Sequence, residues 1–413
     1  SGFAAAISAA REGLKVILIE KGNCMGGAAS NCLVQPFMPY VADINGEAVL
    51  LSRGIFEEIT DNFKKMYSDI DGVEITEKSL FLFNEEYMKV IFNQMAEEAG
   101  VTLLYHSYII GAEMENSRVK SVKCSSTSGC FDIEADYFID ATGDANLAYI
   151  CGYPFRLGRD SDNLCQPMTL CFRIANVDND VCKNIPCDQI NELYKRLQKD
   201  GKITNPRENV LIFPTLTDGV LHFNTTRIVK LNPTEPFDLT KAEIIARKQV
   251  MEIYLMLKRN IPGFENCKLI MTAPEIGIRE SRMIVGEYTL TGEIMKTCKI
   301  FDDAIALGNY GIDIHSPDGT GTSYYFFKPG EYYTIPYRCL IPKNSENLLV
   351  AGRCISVDHE AQASMRIMPI VCTVGEAAGT AAAIAFKSGK NVSDIDITLL
   401  RKTLKDNGAA VEI

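Results

Sequence analysis

Residues 3–12, FAAAISAARE, run into Gly13 and then into KVILIE at 15–20, and no other feature narrows the possible folds so far. Alanine is the strongest helix former, and a glycine after the last periodic residue ends a helix by taking a left-handed conformation. The run that follows is almost continuously apolar until it closes in an acid. A strand buried on both faces reads this way, and such strands belong to parallel sheets covered by helices. A helix feeding a parallel strand is the second half of a strand–helix–strand unit. The chain is therefore read as α/β, with an open, doubly wound sheet.

The same reading continues downstream. Residues 85–99 carry Met88, Ile91, Phe92, Met95 and Ala96 on one helical stripe ahead of Gly100, and VTLLY at 101–105 reads as the next strand. Three short β-prone pieces between 107 and 135 are spaced as a meander, and YFIDATGDANLA at 137–148 reads as strand, glycine turn and helix. From about 153 prolines and aromatics become frequent. There GVLHFNTTRI at 219–228 is expected to be a strand and residues 240–259 an amphipathic helix. Strand character returns in NLLVAG at 347–352, followed by a small-residue helix at about 370–387. The expected division is a first nucleotide-binding part at 1–152, an inserted α+β substrate domain at 153–340, and a second part with C-terminal helices at 341–413.

Four stretches carry nucleotide-binding signals. Gly2 can serve as the last glycine of a dinucleotide fingerprint, in which glycine lets the backbone and a helix N-terminus approach a pyrophosphate. Glu20 lies 18 residues beyond it, near the separation of about 20 expected for an acid on the ribose. Lys21 and the pair Gly26-Gly27 follow. Thr142-Gly143-Asp144 turns at the C-terminal end of a strand, where open α/β sheets bind ligands. Gly352-Arg353 follows the strand LLVA, and a helix starting near Ile370 aims its dipole at the same place. Each has a plainer reading: a strand-end acid, a turn, a helix capped by Asp144, or close packing of small residues.

Composition removes other classes. The net charge is −11 and no basic run stands out, so a nucleic-acid partner is not expected. No apolar run approaches the roughly 20 residues that cross a bilayer, so no membrane role is expected, and the opening segment lacks the basic n-region of a secretory leader. The 14 cysteines include no C-x-x-C pair and read as reduced, buried thiols of a cytoplasmic protein. Cys24 and Cys32 are too widely spaced for a redox disulfide motif. His106, His222, His315 and His359 lie far apart, so no metal site is expected.

SGFAAAISAAREGLKVILIEKGNCMGG, DATGDANLA, GIRESRMIVGEYTLT, YYTIPYRCLIPKNSENLLVAGRCIS and DHEAQASMRIMPIVCTVGEAAGTAAA together resemble the FAD-dependent oxidoreductase family of the glutathione-reductase-like flavoprotein superfamily. The resemblance runs from residue 1 to about 390. It implies a split, Rossmann-like FAD-binding domain with Gly2 at the pyrophosphate, Glu20 at the adenosine ribose, and Lys21, Gly26 and Gly27 along the cofactor. Thr142, Gly143 and Asp144 are implied near the phosphates or ribityl chain, Gly352 and Arg353 at the ribityl and pyrophosphate part, and Pro369, Ile370 and Val371 against the isoalloxazine ring. Family members begin with a strand and two further glycines ahead of Gly2. Neither is in this sequence, and FAD retention is expected to depend on them.

Substrate candidates come from two segments. In GIRESR, Arg279 and Arg282 flank Glu280, which suits bidentate binding of an anionic group or, equally, a salt-bridge network between domains. His359 and Arg366, seven residues apart, can share a helical face, with His359 a candidate proton donor or acceptor. His315 and His222 can reach the pocket or serve structure. The expected function is transfer of a hydride or two electrons between a small anionic organic substrate and FAD, with Arg279, Arg282, His359 and Arg366 around the substrate. No second fingerprint supports direct NAD(P)H use. The rival is a cofactor-free or non-catalytic relative of the same fold; a third reading, an RNA-modifying role, conflicts with the charge.

Overall fold

Residues 2–11 form the opening helix, Gly2–Arg11, and Gly13 takes φ +88° just past its end. The buried alanines Ala4, Ala5, Ala6 and Ala9 let this helix lie against the long apolar helix Met368–Ser388. A Cβ added to Gly375 would overlap the backbone of Ser1, and one added to Gly379 would overlap that of Ala5. Small residues on both helices are what permit backbone-to-backbone contact. The computed structural model describes residues 1–74, 81–319 and 321–413.

The apolar run after Gly13 forms the strand Ile17–Ile19, which pairs in parallel with Thr102–Leu104. Phe138–Asp140 pairs in parallel with Leu348–Val350, Phe138 opposite Leu348, so two stretches 210 residues apart build one sheet edge. Tyr108–Glu115, Arg118–Ser126 and Gly129–Glu134 form an antiparallel sheet in that order. The architecture is mixed α/β.

Three large cores divide the interior. The first gathers Val119 to Ala148 with Met283 to Val411. The second runs from Met168 to Ile276 and takes in Leu33. Its antiparallel sheet has the order Ile212–Pro214, Leu221–Phe223, Phe172–Ala175, Lys268–Thr272, and the helix Pro236–Asn260 contributes Ala242, Ala246, Val250 and Ile253 to it. That helix starts earlier than its periodicity suggests because Pro236 suits a first turn. The third core packs the opening helix with Ile55–Asp71 and Glu85–Glu98.

Two expectations are corrected. Of 219–228 only Leu221–Phe223 is strand. Beyond it Thr226 Oγ1 accepts from Leu170 N at 2.7 Å and donates to Leu170 O, while Thr225 Oγ1 accepts from Leu211 N at 2.8 Å. Threonine hydroxyls thus replace part of the ladder. Secondly, Met368–Ser388 is long and apolar enough to cross a bilayer, but 89% of its apolar window is buried, so the protein core already uses that surface.

Glu376 sits within this helix, 2% exposed. Its carboxylate accepts from Ile55 N at 3.1 Å, the first residue of a helix whose N-cap, Gly54, has no side chain to do so. Burial pushes its pKa up to about 7 from 4.5. A carboxyl with a raised folded pKa stabilises fully below its unfolded pKa, and that contribution fades as pH climbs through the folded value. Glu376→Gln is expected to flatten the decline in melting temperature between pH 4.5 and about 7. Melting both proteins across that range checks it, and unchanged slopes would exclude Glu376 as the cause.

Candidate cofactor and substrate site

The nucleotide-side stretches lie close to one another. Glu20 ends its strand with Oε1 accepting from Gly22 N at 2.8 Å, and Lys21 Nζ reaches Glu275 at 2.8 Å. Burial raises the pKa of Glu20, partly offset by the Gly22 bond and by Lys21. Arg353 Nη2 donates to Asp144 Oδ1 at 2.7 Å. Cys32 lies between these groups, its thiol pushed to about 12 by burial, with Glu275, Arg353, Lys21 and Asp144 all acting on it. That places four separated stretches of chain on the same space. Cys24 and Cys32 are both free thiols.

Close protein contacts and positive φ together demand glycine there. Gly143 has φ +81°, and a Cβ on it would fall 2.5 Å from Arg353 Nη1; Gly352 has φ +108°, with a Cβ placed 2.8 Å from Ser1 Oγ. A Cβ on Gly27 would meet nothing within 4 Å, whereas one on Gly26 would fall 2.7 Å from Ser30 Oγ, so the turn is open on its Gly27 side. The opening helix has no side-chain cap and no acid in its first turn, and the helix at Met368 is likewise uncapped, with Pro369 in its first turn. Two helix ends with free N–H groups suit phosphate and an electron-rich ring. Arg353 Nε is buried and has no hydrogen-bond partner among the described residues. These features fit a long diphosphate-bearing cofactor.

Asp144 does not cap a helix. The N-cap of Asn146–Ile150 is Ala145 at φ +52°, and Thr142 Oγ1 accepts from Asn146 N at 2.9 Å. Thr142 can do this because Asp140, buried at the strand end, accepts from its N–H at 3.0 Å and its hydroxyl at 2.7 Å. Asp144 is left free to accept from Ser281 Oγ at 2.6 Å as well as from Arg353.

The segment 277–282 runs from the Asp144 turn to a cluster of arginines. Arg282 faces the Asp144 turn: its Nη1 donates to Asn146 Oδ1 at 3.0 Å and to Asp144 O at 3.3 Å, and its guanidinium lies 4.1 Å from the Tyr149 ring centroid. It does not join Arg279. Glu280 pairs with neither arginine; it accepts from Gln166 N at 2.7 Å and bonds His359 Nδ1 at 2.8 Å. Gln362 Nε2 donates to Arg279 O at 2.6 Å. The short helix His359–Met365 is thereby stitched to residues 279–280 at two points, one helical turn apart.

Arg279 is 8% exposed. Nη1 donates to Pro167 O at 2.6 Å and Nη2 to Asn224 Oδ1 at 3.3 Å, both neutral acceptors. Burial, then the charges of Arg366, Arg207 and Arg227, pull its pKa down to about 9. Arg366 follows the short helix, two residues before the helix that starts at Met368, and its buried Nε has no partner among the described residues. Opposite lie Asp313 and His315. Asp313 Oδ2 accepts from Tyr310 at 3.3 Å and lies 3.4 Å from His315 Nε2. Arg227 Nη2 lies 3.0 Å from His315 Nδ1; a guanidinium only donates, so Nδ1 accepts and the proton sits on Nε2. Burial, with Arg279, holds the pKa of His315 down at about 3, so the ring is neutral. His222 is buried with neither nitrogen hydrogen-bonded among the described residues and stands beside Phe213, 6.1 Å between ring centroids.

The structure therefore brings Arg279 and Arg366 together and gives Arg282 and His359 separate partners. Arg207, Arg227, Tyr310 and Asp313 escaped the sequence reading. The only local hint was the run of buried polar residues Thr225, Thr226 and Arg227 directly after an apolar strand.

A search of curated proteins finds no match. Similar solved structures include a geranylgeranyl bacteriochlorophyll reductase-like protein from Thermoplasma acidophilum, 15% identical over 98% of this chain and 80% of the other, with a TM-score of 0.44. A p-nitrophenol 4-monooxygenase from Pseudomonas putida is 10% identical over 95% and 79%, with a TM-score of 0.45. The L-proline dehydrogenase from P. horikoshii is 11% identical over 98% and 95%, at 0.41. The family assignment stands apart from these loose likenesses. The model of the family described as FAD dependent oxidoreductase matches residues 1–404, nearly the whole chain; the protein belongs to that family and is a flavin enzyme that uses FAD.

Proposed function

We propose that this enzyme oxidises or reduces a small anionic organic molecule, held by Arg279 and Arg366 beside the flavin. FAD supplies the two-electron chemistry when bound. On this reading the short parallel pairs belong to one doubly wound sheet, residues 1–152 and 341–413 form the FAD domain, and the insertion 153–340 supplies the substrate side. Gly2, Gly143 and Gly352 make room for the pyrophosphate, Glu20 holds the adenosine ribose, and Lys21, Gly26, Gly27 and Thr142 line the cofactor. Asp144 and Arg353 hold each other in place at its centre. The helix N-terminus at Pro369, Ile370 and Val371 stabilises negative charge on the ring. A cytoplasmic setting with no nucleic-acid or membrane partner belongs to the same proposal, and the fourteen free thiols accord with it.

The carrying observation is Arg279: a buried guanidinium whose hydrogen bonds all go to neutral acceptors. An uncompensated buried charge costs several kcal/mol, and an anionic ligand is the simplest partner. Arg282 and His359 act as positioning residues, the first by holding the Asp144 turn, the second by fixing the short helix through Glu280. Anaerobic addition of a panel of small carboxylates to flavin-loaded protein should bleach the flavin absorbance near 450 nm with at least one member. Bleaching by neutral alcohols or amines alone would overturn the anionic reading.

A further inference from the structure

The arginine pocket holds more positive charge than one carboxylate can answer. Arg207 is 4% exposed, with Nε on Asn209 Oδ1 at 3.1 Å and a buried Nη1 that has no hydrogen-bond partner among the described residues. Arg279 bonds only neutral acceptors and Arg366 leaves Nε unsatisfied. None of the three forms an ion pair within 4.0 Å among the described residues, whereas Arg227 is matched by Glu208 at 2.9 Å. Among the described residues the acid beside them is the half-buried Asp313, whose Oδ1 also has no hydrogen-bond partner there. His315 is neutral, since Arg227 occupies its Nδ1. The unmatched charge is thus that of two guanidinium groups.

Holding like charges together in a dry pocket is costly, and a fold does so where a ligand repays it. The three arginines arrive from different stretches of the chain, at 207, 279 and 366. Resting on the proposed function above, we infer that the substrate is a small organic dianion, bearing two carboxylates or one phosphate monoester. Both carry two negative charges and accept the forked N–H pairs of guanidinium.

Flavin-loaded protein is titrated at pH 7.5 with propionate, succinate, malonate and inorganic phosphate, reading the shift in the flavin spectrum. Succinate, malonate or phosphate should bind at least about 30-fold more tightly than propionate, the gain of one further charge-assisted contact of about 2 kcal/mol. Preference for the dicarboxylates over phosphate, or the reverse, identifies the source of the dianion. Arg207→Gln should reduce the preference to about threefold or less, with flavin content confirming the fold. Equal affinity for propionate and every dianion in the wild type would overturn the inference and leave the anionic substrate standing. No response to any of the four would overturn both.

Discussion

Arg279→Ala should lower kcat/KM for substrate-driven flavin reduction by roughly 30- to 4000-fold, the range for losing one side of a desolvated charge pair at 2–5 kcal/mol. Flavin content should stay at the wild-type level. The two effects separate because the segment faces two ways: Arg279 bonds Pro167 O and Asn224, while Ser281 and Arg282 hold the Asp144 turn. The melting temperature should hold or rise, since the variant removes a buried cation that neighbouring arginines repel. Arg279→Lys keeps the charge but loses the planar fork, and should fall between. Stopped-flow reduction with flavin quantified after denaturation checks all of this. Parallel loss of flavin and turnover would make Arg279 a structural residue.

Gly379→Val should cost the protein its flavin. The added Cβ would overlap the Ala5 carbonyl and the Ser8 hydroxyl, where the opening helix crosses the long apolar helix. Overpacking in a tight core costs about 1–3 kcal/mol when side chains can yield, and here the obstacle is backbone. The opening helix must move, taking with it Ser1, which stands against Gly352 and Gly375. Flavin per chain should fall below half and the melting temperature should drop by several degrees. Full flavin content in a soluble variant would show that this crossing does not position the cofactor site.

Much of the frame was legible because its causes are local. The helix at 85–99 followed from five apolar positions on one stripe and appears as Glu85–Glu98; the meander followed from three β-prone pieces set apart by turns. The strand expected at 219–228 failed for a non-local reason, since its threonines bond to Leu170 and Leu211. Asp144 shows the same limit at the site. Its position after a glycine suits a helix cap equally well, and only Ser281 and Arg353, each more than 130 residues away, give it another task.

Use of FAD was decided by the sequence, because the family's signature is spread over residues 1–404 in short stretches, each readable without its neighbours in space. Which arginines are left without a matching charge was decided by the tertiary structure alone. Arg282 and Arg279 belong to one short motif, yet one is occupied by Asn146 and Tyr149 and the other meets only neutral oxygens. Whether a cation is matched depends on neighbours in space, and Arg207, Arg279 and Arg366 become neighbours only when the chain has closed around them.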